Sequence, residues 1–350
     1  MSDLIKYSYY GNYYFLIRHV IIQLLGLSIL ILILYLPIKI WIEISIILFI
    51  INILLLVIVV LINKNLKING ACRWINIGFI NFQPSEMMKL NSLLYVSKYI
   101  LYKKNFSKNF KNYFLPILIV LIILSILLLM EPDLGNFIVI FIIIKSVLFI
   151  SGCNLKNFLI SFLFLISLIF IFILLSSWRK LRVFSYLNPW DKSNFYGISY
   201  QLSHSLIALG RGGLFGVGIG NSIEKLHYLP EAHTDFLFSI LGEELGFFGI
   251  VLIINLYTVI IYKSFKIGIY SIKANKIFSG LVAQGIGIWI GFQIFINIGM
   301  CIGILPTKGI TLPFMSYGGS GIITNFFAIS ILLRIDIENK LLKKKKNETK

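Results

Sequence analysis

Long runs of apolar residues, mostly Ile, Leu and Phe, alternate along the chain with short polar segments. Each run is close to the roughly 20 residues that a helix needs to cross the hydrocarbon core of a bilayer. Backbone polar groups in lipid must be bonded within the spanning segment, so the runs must be helical. A β-barrel would instead show segments of about ten residues with alternating polarity. The pattern predicts an all-α, polytopic integral membrane helical bundle.

The apolar runs predict about nine transmembrane helices. The third is the least apolar, because Glu86, Lys89 and Lys98 interrupt it. One long connection of about 178–235 has no span of its own, and the spacing of leucines between Tyr200 and Leu209 predicts a short interfacial helix there. The predicted spans are residues 19–36, 42–62, 86–101, 115–131, 136–152, 157–177, 236–261, 279–303 and 318–335.

Lysines predict which ends of the spans face the cytoplasm. Four lysines and no acid lie in each of the predicted loops 102–114 and 262–277, and a further run, Lys343 to Lys346, lies in the tail 336–350. In a nine-span arrangement all three segments fall on one side, which the positive-inside rule assigns to the cytoplasm. The N-terminus is then expected outside, as is the long connection 178–235.

Nine of the fourteen acidic residues fall at or near the outer face in this arrangement. Acids contribute little to topology, and polar groups at membrane depth are costly, so their clustering indicates function. Chemistry is therefore expected on the outer side. The nine residues are Glu86, Glu131, Asp133, Asp191, Glu224, Glu231, Asp235, Glu243 and Glu244.

Composition excludes other classes of protein. With 58% apolar residues and a mean hydropathy of +0.90, the chain is too apolar for a soluble domain. Its net charge of +18 comes from loop and tail lysines, which fit contact with anionic membrane lipids better than with nucleic acid. Three unpaired cysteines and four histidines show no metal-binding spacing.

Asp235 is the strongest candidate for chemistry in the outer segment. It lies at the mouth of a span within LPEAHTDF, close to Glu231 and His233. It could act as the N-cap of the following helix. Alternatively, partial desolvation and a neighbouring carboxylate would make it a better general base. Glu243 and Glu244 lie about 12 Å further along the same helix, where pairing with cations is expected.

Three further segments each allow a structural and a functional interpretation. Glu86 and Lys89, at i and i+3, form either an ion pair or a cationic headgroup site. Arg73 and the following tryptophan suit an interfacial anchor or a ligand contact. The Gly-dense stretch 210–220 is either a compact re-entrant loop or a turn whose N–H groups approach a phosphate. The irregular stretch 306–321 is expected either to be buried in protein or to line a cavity.

Taken together, the motifs of the chain resemble the SEDS family (shape, elongation, division and sporulation) of membrane-embedded peptidoglycan polymerases. Each motif is modest, but the ordered set is specific and covers almost the whole chain, which we treat as one domain, 1–350. The segment 205–236 is most similar to the division branch of the family, with the elongation branch as the alternative. The matching segments are RWINIGFINFQPSEMMKL at 73–90, EPDLG at 131–135, NPW at 188–190, SLIALGRGGLFGVGIG at 205–220, YLPEAHTDF at 228–236, GEELGFFG at 242–249 and KGITLPFMSYGGSG at 308–321.

The resemblance implies a glycosyltransferase that polymerises lipid II, a disaccharide peptide carried on undecaprenyl diphosphate. The family's essential aspartate falls on Asp235, the expected general base, and a lipid II flippase is the alternative of another class. The family usually has ten spans, and its first has no counterpart among the nine predicted here. We assign substrate binding to Arg73, Glu86, Lys89, Arg211, Lys225, His233, Thr234, Ser316, Gly318 and Gly319.

The resemblance also implies partners, a location and an open question about metal. The expected partners are an FtsI-like class B penicillin-binding transpeptidase, other division proteins and membrane lipids. The expected location is the inner membrane at the division septum, with the active site facing the periplasm. A divalent cation, Mg²⁺ or Mn²⁺, is left open as a cofactor.

Overall fold

A computed structural model describes residues 14–62, 73–77, 80–103, 110–153, 155–174, 180–181, 185–195 and 197–348. Within these ranges the fold is a bundle of nine long helices, with two short helices and a two-stranded hairpin at one end. The helices are α1 Tyr14–Tyr35, α2 Ile38–Ile62, α3 Pro84–Tyr102, α4 Phe110–Met130, α5 Leu134–Ile150, α6 Leu155–Leu174, α7 Lys192–Phe195, α8 Tyr200–Gly212, α9 Leu237–Lys273, α10 Ile277–Cys301 and α11 Gly319–Glu348.

Five of these helices are long and apolar enough to cross a membrane: most of α1, all of α2, α9 and α10, and most of α11. Two shorter apolar helices, within α4 and α5, accompany them. Each predicted span coincides with one of the nine long helices, which confirms the all-α membrane fold. The hairpin of β1 (Ile75–Ile77) and β2 (Ile80–Phe82) was not predicted, since three-residue strands leave too short a pattern to recognise.

Helix α10 runs through the centre of the bundle and contributes Ile286, Trp289 and Ile290 to the core, all fully buried. Glycines let its neighbours approach closely. A Cβ atom at Gly280 of α10 would lie 3.0 Å from the carbonyl oxygen of Gly268 on α9. Close backbone approach of this kind is a common basis of helix packing in membranes.

The prediction of a loop at 262–277 is wrong, because α9 continues to Lys273 and only three residues separate it from α10. Helix α11 likewise continues past the predicted end at 335 as far as Glu348. Both extensions carry lysines, whose apolar stems can cover a helix surface while the charged head reaches water. The lysines therefore do not mark the end of either helix.

The connecting segments that follow α4, α8 and α10 meet at one end of the bundle. There Arg73 donates to the carbonyl oxygen of Pro132 at 2.5 Å. The N–H of Tyr317 donates to the carbonyl oxygen of His233 at 2.8 Å. The hairpin joins them where the N–H of Gln83 donates to Ser320 Oγ at 2.8 Å. Helix α8, predicted over Tyr200–Leu209, is present and extends to Gly212. The connections thus form one assembly of irregular backbone.

Candidate functional site

Asp235 lies in the turn that precedes α9, with a half-buried side chain. The prediction that it caps this helix is wrong: the N-cap is Phe236, and no side chain caps the helix. The reason lies in the turn, which is closed by the N–H of Phe236 donating to the carbonyl oxygen of Glu231 at 3.2 Å. The carboxylate instead faces Gly309, where a Cβ atom would lie 3.2 Å from Asp235 Oδ2.

Three consecutive carbonyl oxygens, those of residues 233 to 235, hold the Asp235 turn in place. Asn297 Nδ2 donates to that of Asp235 at 2.8 Å, and Ser316 Oγ donates to that of Thr234 at 2.5 Å. The N–H of Tyr317 donates to the carbonyl oxygen of residue 233 at 2.8 Å. Because donors from α10 and from the segment 302–318 fix this backbone, the carboxylate is positioned before any ligand arrives.

Arg73 is a predicted site residue, distant in sequence, that the structure brings to the same glycine as Asp235. Its guanidinium donates to the carbonyl oxygens of Pro132, at 2.5 Å, and Glu131, at 3.3 Å. A Cβ atom at Gly309 would lie 4.0 Å from Arg73 Nη1 as well as 3.2 Å from Asp235 Oδ2. The absence of a side chain at Gly309 therefore leaves space between a carboxylate and a guanidinium.

Two buried acids, Glu131 and Asp133, lie in the turn between α4 and α5 beside Arg73 and differ in their hydrogen bonding. Asp133 is buried but accepts hydrogen bonds from Gln83, Ser85 and Asn136 at 2.8 to 3.0 Å. Glu131 is 1% exposed, and neither carboxyl oxygen has a hydrogen-bond partner among the described residues. Burial, followed by repulsion from Asp133, raises the pKa of Glu131 to about 8, against the opposing effect of Arg73.

Glu86 and Lys89 form a buried ion pair, with 2.7 Å between Lys89 Nζ and Glu86 Oε2. Lys89 is fully buried and also donates to Gln293 Oε1 at 3.3 Å. Gln293 Nε2 in turn donates to the carbonyl oxygen of Thr311 at 3.0 Å. The geometry matches the ion-pair interpretation and links this pair to the loop beside Asp235, while a role in substrate binding stays a prediction.

Arg211 and Lys225 are engaged by acids of α9 rather than by Asp235. Arg211 pairs with Glu243 at 3.2 Å, and Lys225 pairs with Glu244 at 2.5 Å. The sequence predicted that these two glutamates would pair with cations. The two glutamates lie eight and nine residues beyond Asp235, which is roughly 12 Å along a helix. The structure therefore places these two cations in a separate cluster.

The Gly-dense segment after α8 folds against that second cluster. The N–H groups of Val217 and Gly218 donate to the carbonyl oxygens of Glu243, at 3.0 Å, and Glu244, at 3.1 Å. The N–H of Gly216 is bonded to the carbonyl oxygen of Gly212 at 2.7 Å. These three donors are occupied by backbone, which is the geometry of the compact-loop interpretation.

The remaining predicted residues belong to the Asp235 turn and to the segment before α11, which are joined where Ser316 Oγ donates to the carbonyl oxygen of Thr234. His233 is exposed, and Thr234 Oγ1 donates to Glu231 Oε2 at 2.7 Å. Gly318 lies two residues after the buried Ser316, and Gly319 is the first residue of α11. Their binding role stays a prediction, since the contacts present here are internal to the protein.

Gln293 and Asn297 are polar residues that the sequence analysis missed. They lie at i and i+4 on α10, and both bond the carbonyl oxygens of the segment 310–311. The signal was available: two amides one turn apart inside an otherwise apolar span are costly unless they are bonded. Lys308 and Gly309 were also missed as individual residues, although they lie within the motif KGITLPFMSYGGSG.

The donor set does not fit a resident divalent cation. No group of three or more His, Cys, Asp or Glu side chains lies close enough to hold a metal within the part of the chain that the structure describes. A Mg²⁺ ion bound here would need most of its oxygen ligands from water or from a substrate diphosphate.

Comparison with known proteins places these features in a family. The model of the cell cycle protein family FtsW/RodA/SpoVE matches residues 2–341. A probable peptidoglycan glycosyltransferase FtsW from Burkholderia thailandensis is 44% identical over 98% of this chain and 74% of its own length. A protein of the same name from Taylorella equigenitalis is 44% identical over 98% of this chain and 93% of its own length. A third, from Thiomonas intermedia, is 48% identical over 79% of this chain and 67% of its own length.

Solved structures show the same architecture. A chain from a structure described as a peptidoglycan synthase complex that coordinates polymerization and crosslinking matches with a TM-score of 0.76 and 26% identity, covering 93% of this chain and 90% of that one. The rod shape determining protein RodA of Thermus thermophilus matches with a TM-score of 0.68 and 26% identity, covering 95% and 91%. The similarity therefore extends over nearly the whole bundle.

Proposed function

Because this chain belongs to the cell cycle protein family of FtsW, RodA and SpoVE, we propose that it is a peptidoglycan glycosyltransferase that polymerises lipid II during cell division. Relatives named FtsW are 44% identical over 98% of the chain, whereas the RodA structure is 26% identical. This difference favours the division branch over the elongation branch. The observation that carries the proposal is the backbone-held carboxylate of Asp235 facing Gly309 and Arg73.

In the proposed reaction Asp235 acts as the general base. A sugar hydroxyl is a weak nucleophile, and removing its proton as it attacks lowers the barrier. The hydroxyl oxygen forms a bond to the anomeric carbon of the donor sugar, while the bond from that carbon to the diphosphate oxygen breaks. The proton passes to Asp235, and undecaprenyl diphosphate leaves with the bonding electrons.

The leaving diphosphate needs positive charge close to Asp235. Arg211, Lys225 and Lys89 are basic residues assigned to substrate binding from the sequence, but each is paired with a glutamate. We therefore propose that Arg73 makes the main contact, because its Nη1 faces the same glycine as the carboxylate. Preorganised donors aimed at developing charge are among the largest catalytic effects in enzymes.

The setting of the site fits a lipid-linked substrate. Asp235 precedes a helix long and apolar enough to span the bilayer, so a sugar diphosphate could reach it while the polyprenyl chain stays in lipid. We propose that this end of the bundle faces the periplasm at the septum. A class B penicillin-binding transpeptidase is the proposed partner, in line with the synthase complex that shares this fold.

Polymerisation of purified lipid II by the chain with its transpeptidase partner tests the proposal. Asp235→Asn removes the base at almost constant volume and should lower the rate by a factor of about 10² to 10⁴. The matched control is Asp191→Asn, at an exposed position of the same long connection. Its rate should stay within twofold of the wild type, which corresponds to a change of about 0.4 kcal/mol in activation free energy. A normal rate in Asp235→Asn would exclude the assigned base.

A second readout separates polymerisation from transport. Liposomes that contain only this chain and labelled lipid II report translocation of the label between leaflets. Translocation in the absence of polymer, under conditions that support neither partner binding nor glycan synthesis, would favour the flippase alternative. Polymer formation that depends on Asp235 supports the enzyme.

A further inference from the structure

A basic cavity lies between α9 and α11 at the opposite end of these helices from Asp235. Its volume is about 310 Å³. Lys263, Lys266 and Tyr270 line it from α9, and Lys340 and Lys343 line it from α11. The lysines of the cavity lie in the C-terminal halves of both helices, whereas Asp235 precedes the first residue of α9. The cavity is therefore far from the site of the proposed reaction.

The positive charge of the cavity is largely uncompensated. Lys340 pairs with Asp336 of the same cavity at 2.7 Å. Lys263, Lys266 and Lys343 have no carboxylate within ion-pair distance among the residues that the structure describes. Four lysines against one aspartate therefore leave a cavity suited to an anion.

Asn339 adds a buried acceptor to the wall of the same cavity. It is 3% exposed, and its Nδ2 donates to Ser271 Oγ at 2.8 Å. Ser271 Oγ already donates to the carbonyl oxygen of Ile267, at 3.0 Å, so it must accept from the amide, which fixes the orientation of the amide. Asn339 Oδ1 accepts no hydrogen bond within the described ranges but is itself buried, so the lysines are the groups that can reach a bound anion.

Apolar stripes run from the cavity towards the middle of both helices. On α9, Leu252, Leu256 and Val259 are each more than half exposed and recur at the spacing that continues to Lys263 and Lys266. On α11 the exposed Leu333 and Ile337 precede Lys340 in the same way. Because both helices start at the Asp235 end, each stripe meets the lysines at the same end of the bundle.

We propose that this cavity binds the headgroup of an anionic glycerophospholipid. The phosphate would bind Lys263, Lys266 and Lys343, and the acyl chains would lie on the apolar stripes. Basic pockets between membrane helices on the cytoplasmic side are suited to such headgroups. Phosphatidylglycerol carries a negative phosphodiester and no positive group in its headgroup, so it is the probe that fits the four lysines best.

Native mass spectrometry of the full chain, released from detergent in the presence of defined lipids, tests the proposal. The wild-type chain should retain phosphatidylglycerol in preference to phosphatidylcholine. The double variant Lys263→Gln with Lys266→Gln should weaken this binding by about tenfold or more, since each lysine near an anionic surface contributes about 1 kcal/mol. The matched control is Lys273→Gln, an exposed lysine of α9 that does not line the cavity.

The outcomes distinguish a built site from general attraction between lysines and lipid. Equal losses in the double variant and in Lys273→Gln, or equal retention of both lipids by the wild type, would overturn the proposal. Displacement of the lipid by glycerol 3-phosphate at similar concentration would assign the cavity to a free phosphate instead. If the double variant does not fold, Lys343→Gln alone should weaken binding by about fivefold, again judged against Lys273→Gln.

Discussion

Asn297 donates from one amide nitrogen to two carbonyl oxygens, that of Asp235 at 2.8 Å and that of Ile310 at 2.7 Å. The first belongs to the turn that carries the carboxylate, and the second follows Gly309, which the carboxylate faces. Asn297 itself is fully buried. One side chain of a central helix therefore holds together the two loops that define the space in front of the proposed base.

Replacing this amide should impair catalysis more than substrate binding. In Asn297→Leu both carbonyl oxygens lose their shared donor, which should cost about 1 to 3 kcal/mol of stability. A displacement of the base by about 1 Å can lower the rate by about 10². We expect kcat for lipid II polymerisation to fall at least tenfold with a smaller change in KM, measured together with the thermal unfolding midpoint in detergent.

A buried asparagine elsewhere separates positioning from general loss of packing. Asn91 of α3 is also buried, but among the described residues its amide makes a single long bond, of 3.4 Å, to the carbonyl oxygen of Leu48. Asn91→Ala should lower stability by a comparable amount and leave kcat nearly unchanged. If the two variants lost activity in proportion to their unfolding midpoints, Asn297 would have no positioning role.

The sequence predicted the elements of the bundle better than their ends. Apolar runs located all nine long helices that the structure describes, because burial in lipid requires both the composition and the hydrogen-bonding pattern. The ends at 261 and 335 were misplaced, since Lys263, Lys266 and Lys340 can continue a helix beyond the hydrocarbon. Asp235 is a good N-cap residue by type, but the backbone of the preceding turn starts the helix one residue later.

The motifs identified the site residues but could not arrange them. The sequence left the partners of Arg211 and Lys225 undetermined, although it required Glu243 and Glu244 to be paired. Those pairings join segments about 20 to 30 positions apart, so they depend on how the long connection folds back onto α9. The proximity of Arg73 to Asp235 depends similarly on Gly309, a contact among three separate segments that one sequence does not encode locally.

The buried ion pair of Glu86 and Lys89 predicts a strong asymmetry between single and double variants. Lys89→Met leaves Glu86 charged and unpaired in the bundle, which should cost about 3 to 5 kcal/mol. Adding Glu86→Gln removes the uncompensated charge and should recover a large part of this loss. Unfolding midpoints of the two single variants and the double variant in detergent measure the coupling.

The exposed pair of Lys39 and Glu43 is the matched comparison for that cycle. These residues also lie about one turn apart on a helix, at 3.9 Å, but their side chains are 85% and 64% exposed. Lys39→Met should change stability by less than about 1 kcal/mol, as is usual for surface pairs. A coupling energy for the buried pair no larger than that of the exposed pair would contradict the expected effect.

Gly216 should tolerate no side chain, because its φ is +79° and a Cβ atom there would lie 2.1 Å from the carbonyl oxygen of Glu244. Gly216→Ala must move the loop away from α9 and disturb the bond between Lys225 and Glu244. We expect a loss of about 2 kcal/mol or more, from backbone strain together with the displaced contact. Gly210→Ala, within α8 and with no atom within 4 Å of the new Cβ, should be neutral or slightly stabilising.

The raised pKa of Glu131, about 8, predicts that the protein loses stability as pH rises. Between the ordinary value of 4.5 and about 8, the folded protein holds a proton that the unfolded chain has released. The free energy of unfolding therefore falls with increasing pH across this window, and the destabilisation is complete above the folded pKa. Unfolding midpoints measured from pH 5 to 9 should decline in the wild type.

Glu131→Gln tests the assignment, because it keeps a neutral, similarly sized side chain at every pH. The variant should have a flatter pH profile and should exceed the wild type above pH 8, by a margin on the order of a few kcal/mol at most. Glu43→Gln removes an exposed carboxyl from α2 and should retain the wild-type decline. A decline in Glu131→Gln as steep as that of the wild type would show that another group carries the pH dependence.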